Sequence, residues 1–261
     1  MRTIFGPRRA LIPAFLLSLT ALSSCATVPI TGRKQLLLLP ASEEQKMGLS
    51  SYEEILKKEK LSTDVAQIAM LQKVGERIAA ATGEQLAWEF KLIDNPTTVN
   101  AFCLPGGKVA VYTGILPLTQ DEAGLAAVLG HEIAHAIARH GGERVSQQMV
   151  AKLGLAAVST GMANKDPKTV ETVTALLGAG ATVGVLLPFS RSQESEADHL
   201  GLIYMAKAGY DPNQAIAFWG RMAEKSGGGK TPEWLSTHPS DAKRIEQLKK
   251  ELPEAMQYYK K

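Results

Sequence analysis

Apolar and polar residues follow one another along this chain mostly at helical spacing. Ser42 begins the first helical pattern, and Gln45 stands where it would complete a capping box. The pattern continues to about residue 60. A second helix is predicted from residue 62 to 81, with Gly83 as its C-terminal stop. Two helices are therefore expected before any strand of a central sheet.

A period of two marks the next segment. Residues 86–92 place an apolar side chain at every second position, which is typical of a half-buried strand. A second strand is predicted over residues 109–113, after a turn at Pro105-Gly106-Gly107. The sheet of this protein should be small.

Helical patterning returns for the rest of the chain. Helices are predicted at residues 120–140, 143–187 and 192–208, and a last helix begins near Ser240. Three consecutive glycines, 227–229, indicate a mobile loop before that last helix. The fold class is therefore α+β and mainly helical.

One apolar stretch allows two interpretations. Residues 172–189 are almost uncharged over about 18 positions, which is the lower limit for a transmembrane helix. The stretch contains three glycines and has Pro188 near its end. A buried helix with a following loop is the favoured interpretation, because the segment separates two motifs that must meet in space.

The first 25 residues have the pattern of an export signal. Three arginines precede an apolar stretch at residues 10–22, which is too short to span a bilayer. The next four residues, Leu22-Ser23-Ser24-Cys25, resemble the bacterial lipobox, whose cysteine is acylated. The alternatives are secretion with an unmodified Cys25, or an uncleaved anchor.

The lipobox resemblance implies a domain plan and a location. Residues 1–24 would be a lipoprotein signal peptide, residues 25–40 a lipidated tether, and residues 41–261 a single catalytic domain. Acyl chains on Cys25 would hold the protein to a membrane. Ala26, where aspartate would retain a lipoprotein in the inner membrane, implies the bacterial outer membrane with the protein facing the periplasm.

Composition and charge exclude several classes of protein. The chain has 261 residues, of which 45% are hydrophobic and 21% charged, as in ordinary globular proteins. Its net charge of +3 comes entirely from Arg2, Arg8 and Arg9, so no nucleic-acid partner is expected. Two cysteines exclude a disulfide framework. Cys103 is left without a partner or an assigned role.

The strongest motif is His131-Glu132-Ile133-Ala134-His135. Residues four apart share a helix face, so both imidazoles reach one ion while Glu132 lies beside the open coordination position. Apolar flanking residues argue against two merely exposed histidines, because a buried polar pair needs a partner. Imidazole ligands and tetrahedral geometry favour zinc.

A catalytic zinc needs a third protein ligand. Glu194 and Asp198 share one face of a predicted helix, whereas Glu196 points elsewhere. Glu194 is therefore the candidate ligand, and Asp198 would accept a hydrogen bond from the free N–H of a ligand histidine. A Glu/Asp pair on a helix is otherwise typical of a solvated face.

Three separated motifs together resemble the peptidase M-48 family, which comprises zinc endopeptidases of the gluzincin type related to the CAAX prenyl proteases and HtpX. They are NAFCLPGGKVAVYTGIL at 100–116, LAAVLGHEIAHAIARH at 125–140 and SRSQESEADHLGL at 190–202. The chain looks like the short periplasmic lipoprotein type, without a tetratricopeptide tail. Cys103 departs from the family pattern, which usually has alanine there.

The resemblance implies a zincin-like metalloprotease domain with a small β-sheet beside the HExxH helix. One zinc ion per chain would be bound by His131, His135 and Glu194, and Glu132 would be the general base. The activity implied is hydrolysis of peptide bonds by zinc-activated water. The expected substrates are unfolded or misassembled envelope proteins, which suit recognition through the main chain, and an association with the outer-membrane assembly machinery is also expected.

The substrate is expected to lie extended along a sheet edge and to pair through its backbone. By resemblance, Asn100, Ala101 and Phe102 are the candidates for that edge. The main alternative function is a periplasmic chaperone or assembly factor for outer-membrane proteins that uses the same cleft, with proteolysis secondary. A non-proteolytic zinc hydrolase is the other alternative.

His238 and Arg244 form a late element that resembles a segment of this family near the active-site cleft. His238 would either occupy the open zinc position in a resting state or donate a hydrogen bond to the tetrahedral oxyanion. Arg244 would add positive charge for the same intermediate. Read without the resemblance, they are a histidine before a proline and a surface cation on an amphipathic helix.

Overall fold

Helices make up most of the computed structural model, which describes residues 25–161, 190–227, 232–238 and 243–260. The strands are β1 (Cys25–Thr27), β2 (Lys34–Leu36), β3 (Glu89–Ile93), β4 (Ala101–Leu104) and β5 (Lys108–Tyr112). The helices are α1 (Ala41–Leu56), α2 (Val65–Thr82), α3 (Leu116–Thr119), α4 (Glu122–Ile137), α5 (His140–Gly161), α6 (Arg191–Lys207), α7 (Asn213–Gly227), α8 (Glu233–Thr237) and α9 (Lys243–Ala255). The predicted α+β, mainly helical class is confirmed.

The central sheet has the order β3-β5-β4. β5 pairs in parallel with β3, where Phe90 faces Val109, and antiparallel with β4, where Ala101 faces Val111. β4 packs against α4, so it connects the sheet to the helix that carries HExxH. Within the described residues no strand pairs with the outer side of β4, which is therefore an edge of the sheet.

Helices α4 and α6 cross at two glycines. A Cβ added to Gly130 would lie 2.9 Å from the carbonyl oxygen of Gly201, and one added to Gly201 would lie 3.0 Å from the backbone nitrogen of His131. The first distance is shorter than real Cβ atoms show and the second is tighter than most of their contacts, so larger residues would push the helices apart. This close approach brings the HExxH motif next to the helix of Glu194.

α4 is buried on nearly every side, which explains its almost uninterrupted apolar sequence. Asp121 caps its N-terminus by accepting a hydrogen bond of 2.8 Å from the backbone of Gly124. The helix ends at Ile137, three residues before the predicted boundary at 140. The break comes at Arg139, whose φ of 55° is left-handed and cannot continue a helix.

The predicted tether packs against the body of the protein. β1 and β2 form an antiparallel hairpin that the sequence patterns did not reveal. Val28 and Leu37 are buried, and the backbone N–H of Leu38 donates to the hydroxyl of Ser146 in α5 at 2.8 Å. The segment at residues 26–40 is thus part of the fold.

Other boundaries differ in detail from the sequence pattern. α1 begins at Ala41 after Pro40 and has no side-chain cap, so the capping box predicted at Ser42 is wrong. A capping box is instead formed by Ser190 and Gln193 at the start of α6. α2 ends as expected at Gly83, whose φ is 79°.

Several predictions fall on segments outside the described residues. These are the signal peptide at 1–24, the apolar stretch at 172–189, the glycines 228–229 of the loop and the start of the last helix at Ser240. Among the described residues, no helix is both long enough and apolar enough to cross a membrane.

Candidate metal centre

Four side chains from three helical segments converge on one point. His131 and His135 come from α4, Glu194 from the first turn of α6, and His238 from the end of α8. Nε2 of His135 lies 3.1 Å from Nε2 of His131, which lies 3.2 Å from Nδ1 of His238. Oε1 of Glu194 lies 3.0 Å from Nδ1 of His238 and 3.3 Å from Nε2 of His135.

The four groups have the arrangement of metal ligands. Each offers one ligand atom, these atoms lie within 4.8 Å of one another, and all four residues are buried. Buried charged and polar groups at this spacing need a shared partner, and a metal ion supplies one. The structure therefore brings together the three predicted ligands and adds His238 to them.

Arg244 and Asp198 hold this cluster from one side. Asp198 Oδ1 accepts from Nδ1 of His131 at 2.9 Å, which leaves Nε2 of that ring facing the other ligand atoms. Arg244 donates to Asp198 at 2.7 Å and to Glu194 at 2.9 Å. Its guanidinium lies 3.4 Å from the ring centre of Trp219, a cation–π contact. Arg244 is thus buried against the two carboxylates and is not a surface cation.

His140 holds the cluster from the other side. Its Nδ1 lies 2.8 Å from Nδ1 of His135, and its Nε2 lies 2.9 Å from Oε2 of Glu196. Glu196 lies on a different face of α6 from Glu194 and contacts His140. Helical spacing does not predict the position of His140, because the break at Arg139 takes that residue out of helical register.

Glu132 lies beside the cluster and is almost completely buried. Its Oε1 accepts from the indole N–H of Trp234 at 2.5 Å and lies 3.4 Å from Nε2 of His238. Trp234 stacks on Trp219 with ring centres 4.9 Å apart. Sequence reasoning missed Trp234, which lies about a hundred positions away and offers no local signal.

The charge states in the cluster follow from burial and mutual contacts. Burial alone would raise the pKa of Glu194, but the hydrogen bonds from His135 and His238 and the nearby imidazoles hold that pKa well below its usual value. Burial lowers the pKa of His135. For His238, the charge of Glu132 and the contact with Glu194 outweigh burial and raise the pKa. The cluster therefore combines an anionic carboxylate with a neutral His135.

The predicted substrate edge lies at the start of β4. Asn100 precedes the strand and donates from its side chain to Glu233 of α8 at 3.3 Å. Ala101 is buried against α4, whereas Phe102 is half-buried. Cys103 faces the core, and burial together with the charge of Glu132 raises the pKa of its thiol well above the usual value.

Comparison with protein families decides the assignment. The model of peptidase family M48 matches residues 66–252, a span that contains α4, α6 and the whole candidate centre. The chain belongs to peptidase family M48. The family predicted from the three motifs is thus confirmed, and with it the prediction of a metalloendopeptidase.

Individual relatives of this chain are also named as metalloendopeptidases or proteases. The mitochondrial metalloendopeptidase OMA1 of Schizosaccharomyces pombe is 39% identical over 87% of this chain and 66% of its own length. The OMA1 enzyme of Homo sapiens is 32% identical over 87% of this chain and 46% of its own. The beta-barrel assembly-enhancing protease of Yersinia pestis is 29% identical over 84% and 46%. The chain spans less than two thirds of the length of each of these relatives.

The predicted location at a bacterial outer membrane is wrong by this comparison. The OMA1 relatives come from fungi, a plant and animals, and their names place them in mitochondria. These relatives do not support the expectation of a periplasmic lipoprotein. Residues 1–24 include three arginines and no acidic residue, features that mitochondrial import signals share, so this sequence pattern alone does not identify the membrane. Acylation of Cys25 stays a prediction.

Proposed function

We propose that this M48 chain is a zinc-dependent endopeptidase that cleaves extended segments of unfolded polypeptides. The observation that carries the proposal is the convergence of His131, His135 and Glu194 on one point, with Glu132 beside it. Two imidazoles and one carboxylate are the donor set of a catalytic zinc site with one position left open.

The donor chemistry of the cluster fits zinc. Nδ1 of His131 contacts Asp198 and Nδ1 of His135 contacts His140, so each ring presents Nε2 to the shared point. Glu194 is ionised, because its neighbours lower its pKa. A zinc ion bound there would supply a Lewis acid and lower the pKa of a water molecule to about 7.

Glu132 is the proposed general base. Its carboxylate is held by Trp234 on one oxygen and lies next to the ligand cluster. From that position Glu132 would take a proton from the attacking water and pass it to the leaving amine. The indole N–H fixes the orientation of that carboxylate.

His238 lies where it would block the metal site in a resting state. Nδ1 of its ring lies close to both Glu194 and His131, where a fourth ligand would lie. Substrate binding would then require His238 to leave that position. Of the two roles expected from the sequence, the geometry favours the blocking role over the oxyanion donor.

The unpaired edge of β4 is where an extended substrate would bind. β4 packs against α4, and its outer side pairs with no strand among the described residues. A peptide bound there would add a strand beside Asn100, Ala101 and Phe102 and be recognised mainly through its backbone. Recognition of this kind requires an unfolded segment and little sequence preference.

A direct test uses the purified chain and casein, an unfolded protein substrate. The chain should contain about one zinc ion, digest casein, lose activity with a chelator and regain it with zinc. Glu132→Gln should keep zinc and lose digestion, whereas Glu54→Gln, an exposed change on α1, serves as the matched control. Full activity after complete removal of metal would overturn the proposal.

A further inference from the structure

His140 lies behind one of the proposed ligands and is completely buried. Its ring meets that of His135 at an interplanar angle of 75°, with the two Nδ1 atoms 2.8 Å apart. The opposite nitrogen, Nε2, lies 2.9 Å from Oε2 of Glu196. Three side chains thus form a line that ends at the candidate metal centre.

The protons along this line can be assigned from the last group. Nε of Arg33 donates to Oε2 of Glu196 at 2.7 Å and the hydroxyl of Thr31 donates to Oε1, so this carboxylate accepts hydrogen bonds and does not donate them. Nε2 of His140 must then carry the hydrogen that faces Glu196, and in this tautomer Nδ1 of His140 accepts from Nδ1–H of His135. That tautomer of His135 leaves the lone pair of Nε2 for a metal ion.

Glu196 is itself held from the N-terminal hairpin. Arg33 donates from Nε to Glu196 at 2.7 Å and from both terminal nitrogens to Glu143 at 2.8 and 2.9 Å. The hydroxyl of Thr31 donates to the other oxygen of Glu196. The carboxylate that faces His140 therefore has a fixed position and a fixed charge.

Side-chain contacts also fix the backbone just before His140. Arg139 adopts a left-handed conformation and donates to Glu44 of α1 at 2.7 and 3.1 Å. Gln35 of β2 donates to the carbonyl oxygen of Ala138 at 2.9 Å. A left-handed arginine is unfavourable, so these contacts are needed to keep His140 turned toward His135.

We propose that His140 is a positioning residue for the metal centre, and that it fixes the tautomer and orientation of His135 through Nδ1. Glu196, anchored by Arg33, orients His140 in turn. The proposal rests on the proposed function, since it concerns the ligand His135. It assigns a role to the segment at residues 31–35, which belongs to neither α4 nor α6 but contributes to their site.

Zinc affinity is the measurement that tests this role, with a chelating dye as competitor. His140→Phe keeps the ring volume and removes the acceptor, so zinc binding should weaken by roughly 10- to 100-fold. His140→Asn offers an oxygen near the position of Nδ1 and should recover most of that loss. His199→Phe is the control, because His199 lies on α6 and has only distant contacts with Glu251 and Glu254.

A second measurement covers the case in which His140→Phe fails to fold. Nitrogen NMR of the imidazoles in the wild-type zinc-bound protein should show His135 protonated at Nδ1 and His140 protonated at Nε2. An unprotonated Nδ1 on His135 in that spectrum would overturn the assigned tautomer and the role of His140 with it.

The outcomes separate the two proposals. Wild-type chain that binds no zinc overturns the metal centre and the role of His140 together. Zinc binding that is equal in the wild type and in folded His140→Phe overturns the role of His140 alone. An effect of His140→Asn as large as that of His140→Phe, with the same loss of thermal stability, would reduce His140 to a packing residue and also overturn it.

Discussion

The indole N–H of Trp234 donates to Oε1 of Glu132 at 2.5 Å. This contact joins the short helix α8 to the HExxH helix and fixes one oxygen of the proposed base. Trp234 is fully buried, and its backbone N–H donates to the carbonyl oxygen of Val99 just before β4. A single tryptophan thus links the base to the predicted substrate edge.

Trp234→Phe should lower kcat by roughly 10- to 100-fold, because a hydrogen bond to a charged group contributes about 1.5–3 kcal/mol and the phenyl ring cannot donate it. KM and zinc content should stay near their wild-type values, since the ring still packs on Trp219. Steady-state kinetics on a fluorogenic peptide measure both constants. An unchanged kcat would show that the indole contact has no part in positioning Glu132.

Glu132→Gln should reduce kcat by roughly 10²- to 10⁴-fold, because an amide cannot accept the proton. The amide keeps the shape of the carboxylate and its oxygen still accepts from Trp234, so fold and zinc content should be retained. Turnover with metal analysis of the same sample tests this expectation. Residual activity near the wild-type level would assign the base elsewhere.

Arg244→Met should destabilise the metal-free protein by up to about 3–5 kcal/mol, because the buried carboxylates of Glu194 and Asp198 lose their arginine partner and keep only imidazole contacts. Zinc should offset part of that loss, since a cation bound at Glu194 supplies positive charge. Urea unfolding with zinc and with a chelator measures the two values. Equal losses under both conditions would contradict a shared electrostatic origin.

The helical parts of the site followed from the sequence because a period of 3.6 fixes which residues share a face. That rule placed His131 with His135 and Glu194 with Asp198, and the structure brings both pairs together. It failed where the chain leaves a helix. His140 comes after the left-handed Arg139, so its contact with His135 depends on backbone geometry that spacing cannot supply.

The other site residues that the sequence did not predict reach the site through long-range packing. Trp234 and the hairpin residue Arg33 reach the site from segments distant in the chain, and no local pattern indicates which partner they meet. β1 and β2 are strands of three residues each, too short for a visible alternation. By contrast, the end of α2 at Gly83 was predictable, because a glycine in the left-handed conformation is a local signal.

Cys103 should react slowly with iodoacetamide in the folded protein. Burial and the charge of Glu132 raise the pKa of its thiol, and only the thiolate reacts. At pH 8, in a Cys25→Ser background, labelling should be at least about 10-fold slower than in urea. Glu132→Gln removes one of the two causes and should speed labelling of the folded protein. Equal rates with and without urea would contradict a thiol whose pKa is raised by the fold.

His238 supplies the last prediction, because its position distinguishes two roles of opposite sign. Its ring lies among the predicted ligands, with Nδ1 3.0 Å from Glu194 and Nε2 3.4 Å from Glu132. A fourth ligand in the resting state would compete with water and substrate, so His238→Ala should raise basal peptidase activity and lower zinc affinity. A donor to the oxyanion would instead make the same variant roughly 10²-fold slower in kcat at unchanged zinc affinity. Initial rates on a short peptide, with zinc titrated in parallel, separate the two, and a fall in kcat would contradict the blocking role.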